Sequence, residues 1–299
     1  MRTAFITKLI ELARKDDTIF LVVGDLGYSV VEPFAAEFPN RFLNAGISEQ
    51  NMTGLAAGLA KEGFNVFTYS IGNFPTLRAM EQIRYDVCYH NLNVNIVSVG
   101  AGYAYGSLGV SHHATEDIGM MRSLPNMRVF SPGDPLEAQL VTEYVVHNPG
   151  PSYLRLGKAG EASIHQPNQD ISITELVPVI IRPNSDTVVI TTGSILNYAF
   201  NFLNDNKEKQ YDLFSCPIIK PLNQQSLIAL TEKYSQIITL EEHQKSAGFG
   251  SAIIEVLSDL KYEKKIENFP LVKRIAIEDV FSYLGGSQNY MRTLNKLVF

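Results

Sequence analysis

A glutamate at the junction of a strand and a helix is the side chain of this sequence best suited to proton transfer. Glu49 lies in Asn44–Leu55, N-A-G-I-S-E-Q-N-M-T-G-L, where a short predicted strand gives way to an apolar, glycine-punctuated helix. Free backbone N–H groups and the helix dipole stabilise a carboxylate there. The simpler interpretation is a helix-capping residue beside Ser48. In an apolar cleft, Glu49 could instead share a proton with a ligand, because burial disfavours the charged form.

An aromatic and arginine segment follows the helix of Glu49. It runs Y-S-I-G-N-F-P-T-L-R-A-M-E-Q-I-R over Tyr69–Arg84. An aromatic face here could stack on a flat heteroaromatic ring. Phe74 is the first candidate, because glycine and proline around it indicate a shaped turn, and Tyr69 is the second. Arg78 lies one helical turn after Phe74. The alternative is that Phe74 belongs to the core, as isolated phenylalanines usually do.

A glycine-rich loop carries two adjacent histidines. Gly100–Asp117 reads G-A-G-Y-A-Y-G-S-L-G-V-S-H-H-A-T-E-D, and its glycines allow the backbone to approach a ligand closely. His112 or His113 could hydrogen-bond substrate hydroxyls or move a proton to a carbonyl oxygen. Paired histidines can also bind metal, but Glu116 and Asp117 offer no ligand spacing to support it. We therefore predict no metal site on this chain.

Two further segments carry candidate polar residues. Asp25, in G-D-L-G-Y-S, could face a developing positive charge, although the segment could equally be a plain strand-end turn. Its glycine spacing is not the dinucleotide fingerprint, which disfavours NAD. Arg155, in P-S-Y-L-R-L-G, has the planar fork that suits a phosphate, with a surface ion pair as the alternative.

Short apolar runs alternate with helical patterns, which predicts an α/β fold of parallel sheets covered by helices on both faces. Ligands then bind beyond the carboxyl ends of the strands, where these candidates lie. The first predicted strands are Ile19–Gly24, Arg41–Ala45, Asn65–Tyr69, Val94–Gly100, Arg128–Ser131 and Ser152–Leu156. The clearest helices between them are Ser48–Lys61, Pro75–Tyr89 and Pro135–His147.

The length of 299 residues favours two domains. We predict a first domain over residues 1–160, a polar, proline-containing linker over 161–185, and a smaller α/β domain over 186–299. The second domain's predicted strands are Thr187–Gly193, Tyr211–Cys216, Gln236–Glu241 and Val272–Ile277, and its helices include Gly250–Leu260 and Gln288–Lys296.

Composition excludes several classes of partner. A net charge of −6 gives no basic footprint for nucleic acid or anionic membrane. The first fifteen residues predict an amphipathic helix with Phe5, Leu9 and Leu12 on one side, too charged for a signal peptide or a membrane span. Cys88 and Cys216 are expected to be reduced apolar fillers. These features favour a cytoplasmic protein.

Taken together, the segments from Gly24 to Arg155 resemble the pyrimidine-binding half of the transketolase family of thiamin diphosphate enzymes. The resemblance continues more weakly to the C-terminus. It implies two three-layer α/β/α domains: a thiamin-diphosphate-fold pyrimidine-binding domain, then a smaller transketolase C-terminal-like domain. Glu49 matches the glutamate of G-I-x-E-x-x-M, which activates the cofactor through N1′ of its pyrimidine ring. Phe74 or Tyr69 would stack on that ring, and Arg78, which matches the arginine of R-A-x-(D/E)-Q, would also bind the cofactor.

The resemblance assigns roles to the other candidates. His112, matching the histidine of (S/T)-H-Q, would face the substrate, with His113 as the alternative. Asp25 would lie near the thiazolium side of the cofactor, and Ser29 and Arg155 would hold a substrate phosphate. The string Glu241-Glu242-His243 is interpreted as structural, within a subunit contact.

One departure concerns the substrate. Many family members carry an aspartate four residues before the loop histidine, where this chain has Leu108. The replacement removes a polar substrate contact and raises the hypothesis of an atypical sugar donor or acceptor.

The sequence also lacks the family's G-D-G…N string, which binds Mg²⁺ and the cofactor's diphosphate. The resemblance therefore implies the C-terminal half of a split transketolase, completed by an N-terminal subunit in a two-plus-two heterotetramer. The expected activity is transfer of a two-carbon ketol unit from a ketose or its phosphate to an aldehyde. Alternatives are the beta subunit of a 2-oxoacid dehydrogenase, a deoxyxylulose phosphate synthase-like activity, and a non-enzymatic scaffold that binds a partner without cofactor.

Overall fold

The computed structural model describes residues 1–167 and 169–299, which form two sheets with helices packed on them. The strands are β1 (Ile19–Val23), β2 (Phe42–Asn44), β3 (Asn65–Ile71), β4 (Val94–Val99), β5 (Arg128–Phe130), β6 (Ser152–Leu156), β7 (Val177–Ile180), β8 (Thr187–Thr191), β9 (Tyr211–Ser215), β10 (Ile218–Lys220), β11 (Gln236–Gln244) and β12 (Leu271–Ile277). The helices are α1 (Arg2–Ala13), α2 (Glu32–Glu37), α3 (Glu49–Lys61), α4 (Met80–Gln82), α5 (Asp117–Ser123), α6 (Pro135–His147), α7 (Ile195–Asp205), α8 (Gln224–Lys233), α9 (Phe249–Tyr262) and α10 (Gln288–Leu294).

The first sheet has the strand order β10-β5-β6-β4-β3-β1-β2, and every pair except β10–β5 is parallel. Strands β4 and β6 are buried along their whole length, as expected when helices cover both faces of a parallel sheet. Helix α1 buries Phe5, Leu9 and Leu12 against this sheet, which confirms the predicted amphipathic helix. Because the strands are parallel, the loops that follow β1, β2, β3, β4 and β6 meet at one edge, hereafter the carboxyl edge.

The second sheet has the order β12-β11-β8-β9-β7. Two edge strands differ from the expected domain layout. Strand β7 lies within residues 161–185, assigned above to a linker, and pairs antiparallel with β9. Strand β10 comes from the second half of the chain but pairs antiparallel with β5 of the first sheet. Both are short and lie at edges, and an edge position tolerates Pro178, so neither gives a strong sequence signal.

The segment predicted as the helix Pro75–Tyr89 has a more broken form. It consists of a 3₁₀ turn at Leu77–Ala79, the short helix α4, and a π-helical turn at Ile83–Tyr89. Irregular turns of this kind are frequent near functional sites. Throughout residues 1–167 and 169–299, no helix has the length and apolar character needed to cross a membrane.

Candidate active site

Glu49 is the first residue of α3, and its carboxylate is buried at the carboxyl edge. The residue is 1% exposed. Its Oε1 accepts a hydrogen bond from Ser70 Oγ at 3.2 Å, and its Oε2 accepts one from Arg78 Nη1 at 2.6 Å. Ser48 holds the N-cap position, but its hydroxyl donates to the Ala45 carbonyl oxygen instead of capping the helix. The helix start therefore presents a buried acid whose charged partner is a single arginine.

A glycine keeps space open beside this carboxylate. A Cβ atom built on Gly24, directly after β1, would lie 3.3 Å from Ser70 Oγ and 3.5 Å from Glu49 Oε1. Any larger side chain at residue 24 would therefore extend into the region around the acid. Gly24, the first glycine of G-D-L-G, therefore allows close packing beside Glu49 and Ser70.

Arg78 links Glu49 to an aromatic ring. Its guanidinium carbon lies 4.8 Å from the centroid of the Phe74 ring, a cation–π contact. The Arg78 side chain is 45% exposed, and Phe74 is half-buried. A short turn fixes Phe74, because its backbone N–H donates to the Ile71 carbonyl oxygen at 3.0 Å. Glu49, Arg78 and Phe74 therefore form one continuous cluster.

His112 joins this cluster, whereas His113 does not. The His112 ring lies edge-on to Phe74 with 5.2 Å between ring centroids, and its Nδ1 is 3.0 Å from Ser111 Oγ. His113 is buried, with Nε2 3.2 Å from the Gly106 carbonyl oxygen and its ring edge-on to Tyr103. Since a carbonyl oxygen only accepts, His113 Nε2 must carry the hydrogen. Of the two adjacent histidines, His112 is thus the one available to a ligand.

Asp25 and Ser29 lie in the loop after β1, at the same edge. Both are exposed and adopt left-handed backbone conformations, with φ of 53° and 63°. Such conformations are uncommon outside glycine and cluster at functional sites. The Asp25 carboxylate accepts a hydrogen bond from Asn44 Nδ2 at 2.9 Å, which fixes the loop to the end of β2. Leu108, in the loop that carries the histidines, is 56% exposed.

The structure contradicts the stacking role suggested for Tyr69. Its side chain is almost fully buried and stacks on Phe5, with 6.1 Å between ring centroids. Burial raises the pKa of its hydroxyl well above the usual range. Tyr69 points into the core because β3 is buried on both faces, so a ring in this strand has no open side. The first candidate, Phe74, lies past the end of the strand.

The structure also contradicts a phosphate-binding role for Arg155. This arginine is 2% exposed, and its Nε donates to Asp117 Oδ2 at 2.7 Å. Its Nη2 donates to the carbonyl oxygens of Ala114 and Glu242, so the guanidinium ties the histidine loop to the second sheet. Arg155 lies within β6, whose residues are all buried, and the sequence pattern did not reveal this.

Two residues at the carboxyl edge were missed by the sequence analysis. Ser70, which holds Glu49, follows Tyr69 in β3, and the alternation of side chains along a strand places it on the opposite face. Lys158 lies two residues beyond β6 and is half-buried. The position of Lys158 in the sequence could have indicated it. Lys158 is the first basic residue after the buried strand β6 ends, whereas Arg155 lies inside that strand.

The Glu241-Glu242-His243 string is structural, as predicted. Glu241 accepts hydrogen bonds from the backbone N–H groups of Phe249 and Gly250 and so caps α9, while burial raises its pKa to about 7. Glu242 forms a buried ion pair with Arg292 at 2.8 Å. His243 Nε2 accepts from the backbone N–H of Gly119 at 3.1 Å, which connects the second sheet to α5.

Comparison with known proteins agrees with this architecture. The transketolase pyrimidine binding domain matches residues 1–160, and the transketolase C-terminal domain matches residues 178–282. A putative transketolase C-terminal section from Methanocaldococcus jannaschii is 34% identical over 295 residues, covering 98% of this chain and 90% of that protein. A subunit of the apulose-4-phosphate transketolase from Phocaeicola vulgatus is 32% identical over 272 residues, covering 90% of this chain and 87% of that protein.

A solved structure described as a split gene transketolase, inactive beta4 tetramer, matches with a TM-score of 0.84 at 30% identity and covers 99% of this chain and 93% of that one. The chain therefore belongs to the transketolase family. The predictions of the family, of two α/β domains and of a transketolase-type transferase are confirmed.

The family implies thiamin diphosphate, and the residues at the carboxyl edge fit its aminopyrimidine ring. The Arg78 guanidinium shows what the cleft accepts: a flat, nitrogen-bearing group that lies over Phe74 and hydrogen-bonds Glu49. Glu49 and Phe74 would hold the pyrimidine in the same way. Within the part of the chain that the structure describes, no group of three or more His, Cys, Asp or Glu side chains could hold a metal ion.

Proposed function

We propose that this chain is the pyrimidine-binding subunit of a two-subunit transketolase. The supporting observation is the buried Glu49 carboxylate, hydrogen-bonded to a flat cation stacked on Phe74, at the carboxyl edge of the domain. The reaction would move a two-carbon ketol unit from a ketose to an aldehyde. When bound, thiamin diphosphate supplies the nucleophilic carbon and the electron sink that break the C2–C3 bond of the donor.

The chain's own residues position groups and move protons. Glu49, whose carboxylate is buried, would hold N1′ of the pyrimidine ring through a carboxylate oxygen and share a proton with it. Ser70 orients the carboxylate by donating to its other oxygen. Phe74 supplies the stacking face. His112, at the edge of that ring, hydrogen-bonds the substrate or donates a proton to its carbonyl oxygen. Asp25 faces the thiazolium side.

A partner chain would complete the site. Its role is to bind the diphosphate through Mg²⁺, whose oxygen ligands include phosphates and a few protein groups. The carboxyl edge carries several exposed apolar side chains, which are typical of a surface covered by another chain. These side chains are Tyr28, Ile47, Leu77, Leu108 and Val110. We propose a two-plus-two heterotetramer with two sites at the seams between unlike chains. Both cysteines are free and buried, which suits a cytoplasmic protein.

The substrate is proposed to be a phosphorylated ketose of unusual shape. A relative is described as part of an apulose-4-phosphate transketolase, and Leu108 puts an exposed apolar group where many family members place an aspartate. With Arg155 enclosed, Lys158 and Ser29 are the candidates that we propose for binding the substrate phosphate, because both lie in loops at the carboxyl edge and neither is buried.

Reconstitution tests the proposed function. The chain, an N-terminal transketolase subunit that carries G-D-G…N, thiamin diphosphate and Mg²⁺ are combined, and ketol transfer from a panel of ketose phosphates to aldehydes is measured. We expect turnover by the mixture and none by either chain alone. Pyruvate serves as a discriminating donor. Turnover of pyruvate with a lipoyl acceptor would favour a 2-oxoacid dehydrogenase, and its condensation with an aldehyde phosphate a synthase. Absence of any turnover, together with absence of cofactor binding, would favour the scaffold.

A further inference from the structure

Arg78 lies where a stacked pyrimidine ring would lie. Its guanidinium carbon is 4.8 Å from the Phe74 ring centroid, and its Nη1 is 2.6 Å from Glu49 Oε2. A guanidinium is planar, stacks on aromatic rings and presents N–H groups in its own plane. It therefore offers Phe74 and Glu49 the same two contacts that an aminopyrimidine offers: a flat face and an in-plane nitrogen.

A ring placed over the same face of Phe74 and beside Glu49 Oε2 would overlap the volume that the Arg78 guanidinium now fills. One face of Phe74 and one oxygen of Glu49 are already used by Arg78, while the other oxygen is used by Ser70. The Arg78 side chain is 45% exposed, whereas Glu49 is 1% exposed. Of the two charged partners, the arginine is the one with a route to solvent, and its long side chain can swing without moving the backbone.

The arginine also offsets the cost of burying the Glu49 carboxylate. A buried carboxylate that has lost its cationic partner is strongly destabilising. With Arg78 in place, Glu49 keeps a charge-assisted hydrogen bond when no ligand is present. The contact thus stabilises the cofactor-free subunit.

We propose that Arg78 is a placeholder for the aminopyrimidine: it closes the cleft in the cofactor-free subunit and must leave Phe74 and Glu49 when the cofactor enters. This inference rests on the proposed function. It differs from the role of a simple cofactor ligand, which is the role the family string suggested for Arg78. A placeholder competes with the cofactor, whereas a ligand adds to its affinity.

The first arm of the test uses the isolated chain and needs no cofactor. Thermal unfolding of wild type, Arg78→Met and Arg84→Met is compared at pH 8. Arg84 is a matched control, because it is exposed and also lies 4.8 Å over an aromatic ring, that of Tyr85. We expect Arg78→Met to lower Tm by a few degrees, because it leaves the buried Glu49 carboxylate without its cationic partner. Arg84→Met should have little effect, and the double variant Glu49→Gln/Arg78→Met should recover the loss. An Arg78→Met Tm equal to that of Arg84→Met would overturn the proposal.

The second arm measures the dissociation constant of thiamin diphosphate by calorimetry, with Mg²⁺ and the N-terminal subunit present. Removing a competitor raises the competent fraction of the cleft, so we expect Arg78→Met to bind about 3–10-fold more tightly than wild type. Unchanged or weaker binding by Arg78→Met would overturn the placeholder and leave the proposed function intact. Absence of cofactor binding by the wild-type mixture would overturn both.

Discussion

Two buried carboxylate–arginine pairs in this chain have similar distances but different surroundings. Asp117 and Arg155 are 2.7 Å apart and almost fully enclosed, with exposures of 0% and 2%. Glu49 and Arg78 are 2.6 Å apart, but Arg78 is 45% exposed. Arg155 also donates to two backbone carbonyl oxygens, and Tyr153 donates to Asp117 Oδ2, so several buried hydrogen bonds fix the first pair in place.

The difference separates a structural pair from the pair that we propose to be reactive. The pair at Arg155 joins the histidine loop to the second sheet, and its groups have no open side. The pair at Glu49 has one solvent-exposed member, so a ligand with its own hydrogen-bond donor could replace that member without leaving the acid unpaired. The exposure of the two members of an ion pair is therefore a better guide to its role than the presence of the pair alone.

The largest expected effect is on turnover, through Glu49→Gln. An amide cannot exchange a proton with N1′, so turnover of the reconstituted enzyme should fall about 10²–10⁴-fold. The free energy of unfolding should change little, since the glutamine oxygen can still accept from Arg78 while its NH₂ group donates to Ser70 Oγ. The control is Glu81→Gln, an exposed glutamate in the next helical segment. Full turnover by Glu49→Gln, measured by the ketol-transfer assay, would show that the carboxylate of the Glu49–Arg78 pair is not needed for the reaction.

Arg155→Met should have the largest effect on stability. It leaves Asp117 as a buried charge without a cation, which costs about 3–5 kcal/mol. Urea unfolding measures the loss. The double variant Asp117→Asn/Arg155→Met removes both charges and should be less destabilised than the single variant. A cost below about 1 kcal/mol for Arg155→Met would mean that the enclosed pair is not structural.

A third buried carboxylate, Glu137, sharpens the comparison because no arginine faces it. Its Oε2 accepts from the Gly133 backbone N–H and from Ser215 Oγ, and Asp134 and His165 are its charged neighbours. Burial raises the pKa of Glu137 to about 7, from 4.5. For His165, burial lowers the pKa, but the hydrogen bond to Asp134 and the charge of Glu137 outweigh burial and raise it.

A carboxyl group with a raised pKa stabilises the fold in its protonated form. The contribution of Glu137 is therefore complete below about pH 4.5 and is lost as pH rises through about 7, an effect of about 3 kcal/mol. The raised pKa of His165 acts in the same direction. We expect Glu137→Gln to flatten the fall of unfolding free energy between pH 4.5 and pH 8, measured by urea unfolding at each pH. Glu143→Gln, on the exposed side of the same helix, should retain the wild-type slope. If Glu137→Gln gave the same pH dependence of unfolding free energy as wild type, the raised pKa of Glu137 would be contradicted.

The smallest expected effect concerns the two aromatic candidates. Phe74→Ala removes the stacking face and should weaken thiamin diphosphate binding to the complex about tenfold, as aromatic stacking contributes about 0.5–1.5 kcal/mol beyond buried area. Tyr69→Leu, which removes the ring but keeps an apolar side chain, should leave the affinity unchanged, because the Tyr69 ring lies in the core against Phe5. Calorimetric titration of both variants measures this. Equal weakening of thiamin diphosphate binding by both changes would indicate that Tyr69 contacts the cofactor.

The sequence predicted those parts of the site that depend on local spacing. Glu49 at the start of α3, Phe74 in a turn after β3 and His112 in a glycine-rich loop all lie just beyond a strand or at a helix start. Tyr69 and Arg155 were misassigned because both lie inside strands. Whether a strand residue reaches a ligand depends on what packs on its two faces, and a single sequence does not specify this.

The same limit applies to the fold. Alternating strands and helices predicted the central parallel strands, whose buried runs are strong signals. Strand β7 pairs with β9, and β10 pairs with β5, each at the edge of its sheet. Each pairing depends on the position of the rest of that sheet. Short edge strands carry little periodicity, so their partners were not predictable.

The central claim is that this chain contributes half of a thiamin diphosphate site, with Glu49 at a seam between two polypeptides. Its most direct test is a calorimetric titration of thiamin diphosphate and Mg²⁺ into this chain, into the N-terminal subunit, and into their mixture. We expect tight, saturable binding of one cofactor per pair of chains in the mixture alone. Binding of the same affinity and stoichiometry to either chain by itself would contradict the account.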